Sequence, residues 1–291
     1  MAFTTGPTRG IALMLLGTLL LTGQDAVSKW LIHQFSVGEI LVYRGLWAYL
    51  PLAWFAYREG GWSTLRSKRP IANCLRAALN TGAGFAVITA YAYMPLADAI
   101  AIMFASPIIV TALSAPMLGE SVGWRRWSAV ILGFLGVLIM LRPGGTFDTI
   151  ALLPVAAACF IAVRDILTRR LGHVDSATTI LFYTITVSVL GGLATFPFVS
   201  LRPPDPGEWL IFAALGLVNG IAHYCTISAF KFARAATLAP LRYFGLIWAG
   251  AIGFMVWGDI PDAAMIIGSV LVVASGVFII LREAQPPART P

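Results

Sequence analysis

Charged residues are scarce in this sequence, and the motifs of common enzyme sites are missing. Asp, Glu, Lys and Arg make up 11% of the 291 residues, whereas a soluble globular protein carries about 25%. The three cysteines are widely separated and form no CxxC pair, so we interpret them as small apolar packing residues. HExxH, GxGD and a GK[ST] phosphate loop are also absent from the sequence. These absences exclude a soluble protein and argue against an enzyme, a metal site or a bound cofactor.

Long uncharged apolar runs take the place of these features. Hydrophobic residues make up 58% of the chain, and the mean hydropathy is +0.83. The runs 99–118, 176–201, 209–230 and 263–281 are each close to the roughly 20 residues that a helix needs to cross a bilayer. They are continuous, which is typical of helices rather than of barrel strands. The pattern predicts ten spans, at about 10–31, 37–57, 72–93, 97–118, 125–142, 149–171, 176–200, 208–230, 236–258 and 263–282.

The positions of the basic residues predict how the chain is oriented. The net charge of +7 would suggest a nucleic-acid partner in a soluble protein, but in a membrane protein the side on which the charges lie matters more. If the N-terminus is cytoplasmic, thirteen of the twenty Lys and Arg residues fall on the inner side and three on the outer side. The other four, Arg44, Arg76, Arg164 and Arg242, lie within spans. We therefore predict that both termini are cytoplasmic.

The chain also contains an internal repeat. Segments 25–44 and 165–184 align at an offset of 140 with seven identities, and further matches occur at offsets 140 and 139. The most informative pairs are Asp25/Asp165, His33/His173, Ser36/Ser176, Asn80/Asn219 and Arg142/Arg282. We predict two halves, 10–142 and 149–282, of five spans each. Because five is odd, the halves cross the membrane in opposite directions. The predicted fold is an all-α integral membrane protein of ten transmembrane helices in two five-helix inverted-topology repeats, as in many secondary transporters.

Three stretches within this pattern resemble a known family. They are LVYRGLWAYLPL in the second span, ASPIIVTALSAPMLGE in the fourth and GFLGVLIML in the fifth. They resemble the drug/metabolite transporter superfamily, and within it the bacterial ten-helix exporters with two EamA-type domains. The resemblance extends over about 10–282. The second half departs from the first, since Leu246 and Asp259 stand where the first half has Pro107 and Glu120, and its helix break is expected at Pro240.

This resemblance implies a function for the chain. Proteins of this kind export small metabolites across the bacterial inner membrane by alternating access, through a central cavity between the repeats. The chain is most similar to the exporters of aromatic and neutral amino acids. The implied partners are an amino acid as substrate and the lipid bilayer, without nucleic acid and without a required oligomer.

Charged residues inside the spans are the first candidates for the site, because a cation in hydrocarbon is costly and is usually kept for function. Arg44 could line the cavity and face a substrate carboxylate, or it could be a structural arginine that pairs with Asp25 or Glu39. Arg164 could line the cavity or pair with Asp165. Two pairs with i,i+4 spacing could act as gates or as interfacial salt bridges: Asp25 with Lys29, and Asp165 with Arg169.

Polar and aromatic residues complete the predicted substrate site. Asn80 and Asn219 could bond a zwitterion or join neighbouring helices. His223 could titrate near neutral pH or be a packing histidine. Arg242 follows Pro240, whose ring frees a backbone carbonyl beside it. The aromatic candidates, which could line the cavity or simply pack, are Tyr91, Phe104, Phe160, Tyr224 and Tyr243.

Two other kinds of transporter remain open from the sequence. Efflux of hydrophobic cations would need an acid deep in the membrane, but the acids cluster near span ends and the deep charges are basic. This distribution favours a substrate that carries a carboxylate. Transport of nucleotide sugars would need several basic residues around the phosphates, which Arg44, Arg164 and Arg242 could supply.

Overall fold

Helices account for all regular structure in the part of the chain that is described. The computed structural model describes residues 6–118, 124–141, 149–171, 174–229, 232 and 238–283, with all their side chains except those of 6–7, 114–118, 125–126, 169–170, 227, 239–240 and 279–283. The α-helices are α1 (Gly6–Leu31), α2 (Val37–Glu59), α3 (Pro70–Tyr91), α4 (Leu96–Met103), α5 (Ser106–Leu118), α6 (Trp124–Leu141), α7 (Leu152–Leu171), α8 (Ala177–Leu193), α9 (Pro206–Ala229), α10 (Phe244–Trp257) and α11 (Ala263–Glu283). Four short 3₁₀ turns lie at Trp62–Leu65, Thr149–Ala151, Phe196–Phe198 and Ala239–Tyr243.

Two of the ten spans are broken, and each break lies beside a proline. The fourth span consists of α4 and α5, which are separated just before Pro107. In the described part of the ninth span, the 3₁₀ turn Ala239–Tyr243 precedes α10. Proline has no N–H to donate and its ring clashes with the preceding turn, which accounts for both interruptions. The predicted break at Pro240 is therefore confirmed.

The helices have the length and the surface of membrane spans. Six segments of the described chain are long and apolar enough to cross a bilayer, and three further apolar helices are shorter. Helix α2 has 23 residues and carries exposed apolar side chains at Leu46, Leu50 and Trp54, which are 49%, 55% and 58% exposed. Residues four apart lie on one side of a helix, so this stripe is the face that meets lipid.

Equivalent helices of the two halves run in opposite directions. In the pair α2 and α8, the start of α2 meets the end of α8, because a Cβ added to Gly38 would touch Thr195 Oγ1. Farther along, Tyr49 Oη lies 2.9 Å from Thr186 Oγ1, and Thr178 Oγ1 donates to Glu59 at 2.7 Å. Helices α6 and α11 also pack closely against each other. The predicted all-α fold with inverted repeats is thus confirmed, whereas the limits 10–142 and 149–282 stay a prediction.

Most helix contacts come in symmetric pairs that join the two halves. Helix α1 packs on α9 as α7 packs on α3, and α2 packs on α9 as α8 packs on α3. Helix α1 packs on α10 as α7 packs on α4 and α5. The halves therefore do not form separate globules. Each of these contacts brings a residue of one repeat next to residues of the other.

The repeat identity Ser36/Ser176 has a structural cause. Ser36 caps the N-terminus of α2, where its side chain accepts from the Glu39 N–H and the Glu39 carboxylate accepts from the Ser36 N–H. Ser176 also caps its helix, α8, since its side chain accepts from the Thr179 N–H, but it lacks the return bond that Glu39 makes to Ser36. Serine is a favoured N-cap because its hydroxyl satisfies an otherwise unpaired N–H of the first turn. The same loop geometry is thus built once in each half.

Loops at the two ends of the bundle hold the halves together. At one end, the Glu39 carboxylate accepts a hydrogen bond from the Arg202 N–H at 2.9 Å. At the other end, the Asp175 carboxylate accepts from Ser67 Oγ and Asn73 Nδ2, each at 2.7 Å. We call the end with Arg202 the Asp259 face, because Asp259 follows α10 at that end. We call the other end the Asp175 face.

Candidate functional site

Asp165 on α7 organises a polar cluster near the Asp175 face. Its Oδ1 lies 2.8 Å from Arg164 Nη2, and its Oδ2 lies 3.8 Å from Arg242 Nη1. Arg164 also donates to Asn80 Oδ1 on α3 at 2.9 Å. We call Asn80, Arg164, Asp165 and Arg242 the Asp165 cluster. It brings together four residues from three spans, and the pairing of Arg164 with Asp165, one of the alternatives left open by the sequence, is present in it.

Arg242 is the member of the cluster with the most free surface. Its side chain is 47% exposed, whereas that of Arg164 is 17% exposed. Its separation from Asp165 is longer than that of a normal hydrogen bond. Arg242 therefore has donors available for another anionic group, while Arg164 is held by Asp165 and Asn80.

Arg76, which the sequence showed to lie within a span but which was not among the predicted site residues, borders this cluster. Its Nε donates to Thr168 Oγ1 at 2.8 Å and its Nη1 donates to Thr184 Oγ1 at 2.6 Å. Both partners are neutral hydroxyls, so they satisfy donors of the guanidinium without balancing its charge. The repeat offers a signal that could have found it. The repeat partners of Asp25 and Arg44 are Asp165 and Thr184, so the second half has no arginine at the position of Arg44, and Arg76 donates to the threonine that stands there.

Asp25 on α1 is the repeat partner of Asp165 and has its own charged neighbours. It interacts electrostatically with Arg44 on α2 and with the Tyr91 hydroxyl at the end of α3. The Tyr91 side chain is 1% exposed, and its Oη makes no hydrogen bond of good geometry. We call Asp25, Arg44 and Tyr91 the Asp25 cluster. Of the partners considered for Arg44, Asp25 is the one within electrostatic range, whereas Glu39 is held by Ser36 and Arg202.

His223 on α9 lies between the two clusters. It is within electrostatic range of three arginines, Arg164 on α7, Arg76 on α3 and Arg44 on α2. Charges interact over longer distances where water is excluded. The region around His223 is therefore shared by the two clusters. This agrees with the symmetric packing of α1 on α9 and of α7 on α3.

Lys29 does not pair with Asp25, although the i,i+4 spacing suggested it. Its Nζ lies 3.1 Å from Asp259 Oδ2 and 4.7 Å from the centre of the Trp257 ring. The Lys29 side chain is 9% exposed and that of Asp259 is 24% exposed. This Lys29–Asp259 pair joins the end of α1 to the end of α10 at the Asp259 face. The side chain of Arg169, its predicted counterpart, lies outside the described residues.

The predicted aromatic residues fall into different surroundings. Phe104 and Tyr243 contact each other at 5.0 Å between ring centres, across the fourth and ninth spans. Phe160 is 37% exposed and lies over Gly82. Tyr224 instead stacks on Phe55 with ring centres 3.8 Å apart, which is helix packing between α9 and α2. Asn219 is partly buried on α9, one turn before His223.

Comparison with known proteins places this geometry in a family. The model of the EamA-like transporter family matches residues 8–142 and again 149–282. The S-adenosylmethionine uptake transporter of Rickettsia felis is 26% identical over 96% of this chain and 95% of its own. The pseudopaline exporter CntI of Pseudomonas aeruginosa is 25% identical over 91% of this chain and 94% of its own. A solved crystal structure superposes with a TM-score of 0.64 at 19% identity, covering 96% of this chain and 99% of that one.

Proposed function

The chain belongs to the EamA-like transporter family, and on that premise we propose that it exports neutral or aromatic amino acids by alternating access. It is a multi-pass membrane transporter and not an enzyme. The substrate, the direction and the route are our proposal. The relatives are named for solutes other than free amino acids, but S-adenosylmethionine itself contains an α-amino acid group, which a shared type of site could bind.

The observation that carries the proposal is the convergence of arginines inside the bundle. Arg44, Arg76 and Arg164 are all within electrostatic range of His223, and Arg242 lies half-exposed beside Asp165. A buried excess of positive charge is costly unless an anion balances it. A substrate carboxylate at Arg242 would supply that anion, and the Phe104 and Tyr243 rings beside it would contact an apolar side chain.

The same arrangement disfavours efflux of hydrophobic cations. Such a substrate needs an acid that is free to bind it, but Asp165 is engaged by Arg164 and Arg242. Asp259 is engaged by Lys29, and a cation without a carboxylate would leave the Lys29 charge unbalanced if it took the place of that side chain. A cation entering this region would meet guanidinium groups first.

Access to the site would alternate between the two faces of the bundle. We propose that 10–142 and 149–282 move relative to each other around the shared region at His223. From the distribution of basic residues, we place the Asp175 face and both termini in the cytoplasm of the bacterial cell and the Asp259 face outside it. The chain needs no oligomer for this motion.

Flux into liposomes tests the proposal. Purified protein is reconstituted, and uptake of leucine, tryptophan, S-adenosylmethionine, a nucleotide sugar and a cationic dye is compared with that of empty vesicles. We expect flux of the two amino acids above the empty-vesicle level. If the dye is carried while both amino acids stay at that level, the chain is a cation efflux protein instead.

Arg242→Ala tests the site within the same assay. Removing a charge-assisted hydrogen bond to a carboxylate costs about 1.5–3 kcal/mol, so we expect amino-acid flux to fall at least about tenfold. Arg58→Ala is the matched control, because Arg58 is an exposed arginine that lies over Trp54 at the end of α2. Equal flux in both variants would remove Arg242 from the site.

A further inference from the structure

A cleft opens at the Asp259 face, where α1, α3 and α10 end. It has a volume of about 250 Å³ and is lined among others by Lys29, His33, Tyr91, Tyr93, Trp257 and Asp259. Sites for drug-sized ligands have volumes of about 300–1,000 Å³. The cleft is therefore matched to a smaller solute than a nucleotide sugar.

The Lys29–Asp259 pair gives this cleft one group of each charge. The two side chains come from different repeats and meet at 3.1 Å. Aromatic surface lies beside them, since Trp257 lies against Lys29 and the exposed Tyr93 forms part of the same lining. An ammonium and a carboxylate on one small molecule could replace both partners of the pair without leaving either buried charge unbalanced.

We propose that the cleft is a separate binding site for zwitterionic amino acids, in which the substrate carboxylate binds Lys29 and its ammonium binds Asp259. This proposal rests on the proposed transport of amino acids. Binding there exchanges the contact between α1 and α10 for two contacts to the solute, so an arriving or leaving amino acid loosens the end of the bundle through which it passes. Tyr91 belongs to both the cleft and the Asp25 cluster, which connects this site to the region around Arg44.

Analogues that lack either the carboxylate or the ammonium show which residue binds each of these groups. Binding to the detergent-purified protein is measured by calorimetry for leucine, for leucinamide, which has no carboxylate, and for 4-methylpentanoate, which has no ammonium. We expect wild-type protein to prefer leucine over each analogue by about tenfold or more. Because Arg242 also binds the substrate carboxylate, Lys29→Gln should reduce only the preference over leucinamide without abolishing it. Asp259→Asn should reduce only the preference over 4-methylpentanoate.

This crossed pattern separates recognition from a purely structural ion pair. A structural pair would change the affinity for all three solutes by one common factor in both variants, and that result overturns the proposal. Arg202→Gln is the control, because Arg202 is a cation of the same face that contacts Asp205 and Glu208. It should leave both preferences as in the wild type.

A second measurement does not depend on whether Lys29→Gln and Asp259→Asn fold. Leucine should change the tryptophan emission of the wild-type protein, and Trp257→Phe should abolish that change. An equal change in both proteins overturns the cleft site. If leucine is carried into liposomes while the preferences stay uncrossed, the cleft proposal fails alone; if the wild type neither carries nor binds leucine, both proposals fail.

Discussion

Gly216 on α9 is the position where a single methyl group should disturb the bundle most directly. A Cβ added there would lie 2.3 Å from the Arg44 carbonyl oxygen, 2.5 Å from Trp47 Cβ and 2.9 Å from the Ala48 nitrogen. All three atoms belong to the backbone of α2 or to its first side-chain carbon, so no rotamer change can make room. Small residues let membrane helices approach this closely, and Gly216→Ala tests whether α2 and α9 depend on it.

The size of the effect follows from the overlap. Ordinary contact begins at 3.4 Å, so α9 and α2 must separate by about 1 Å at this crossing. Overpacking of this kind costs about 1–3 kcal/mol, and alanine returns about 0.5–1 kcal/mol through its better helix propensity. We expect a net loss of about 0.5–2 kcal/mol, and a fall in amino-acid flux because Arg44 moves with α2.

Thermal unfolding in one detergent measures the loss, followed by size-exclusion chromatography of the folded fraction. Gly250→Ala on α10 is the matched control, since no atom lies within 4 Å of a Cβ added there. That variant should unfold at the wild-type temperature or slightly above it. If Gly216→Ala proved as stable as Gly250→Ala, the close crossing of α2 and α9 described above would be wrong.

Two further predictions concern the Asp175 face and the Asp165 cluster. Burial raises the pKa of Asp175, but hydrogen bonds from the Lys68 N–H and from two side chains outweigh it and hold the pKa below its ordinary value. The stabilisation that the Asp175 carboxylate provides is therefore present above about pH 4 and is lost as the pH falls through the folded-state pKa. Asp175→Asn should lower the free energy of unfolding on the order of 1 kcal/mol at pH 7 and should make the unfolding temperature fall less steeply as the pH is lowered. An unchanged decline at acid pH would contradict this. Asn80→Leu removes the acceptor of Arg164 Nη1 and should reduce flux several-fold with little loss of folded protein, whereas wild-type flux would show that Asn80 serves packing alone.

The spans and their inversion were predictable because they depend on general physics. A hydrocarbon layer demands apolar runs of a set length, and an odd number of spans in each half leaves only the inverted arrangement. The identity of Ser36 and Ser176 was visible in the alignment of the two repeats. Its reason, an N-cap at the start of α2 and of α8, became visible only in the structure.

The partners of the charged residues were harder to predict. The spacing of Asp25 and Lys29 suggested a local pair, but the partner of Lys29 is 230 positions away in the sequence. Local spacing cannot compete with a partner that tertiary packing brings from another helix. Tyr224 shows the same limit of local sequence reasoning. It follows His223 directly in the sequence, but its ring stacks on Phe55 of another helix.

Polar contacts occur along the whole of α2: Glu39 accepts from the Arg202 N–H in the loop after α8, and Tyr49 and Glu59 contact Thr186 and Thr178 on α8. Because α2 belongs to the first repeat and α8 to the second, these contacts join the two repeats along the helix pair. Movement of one repeat against the other must therefore exchange these hydrogen bonds or pivot about them.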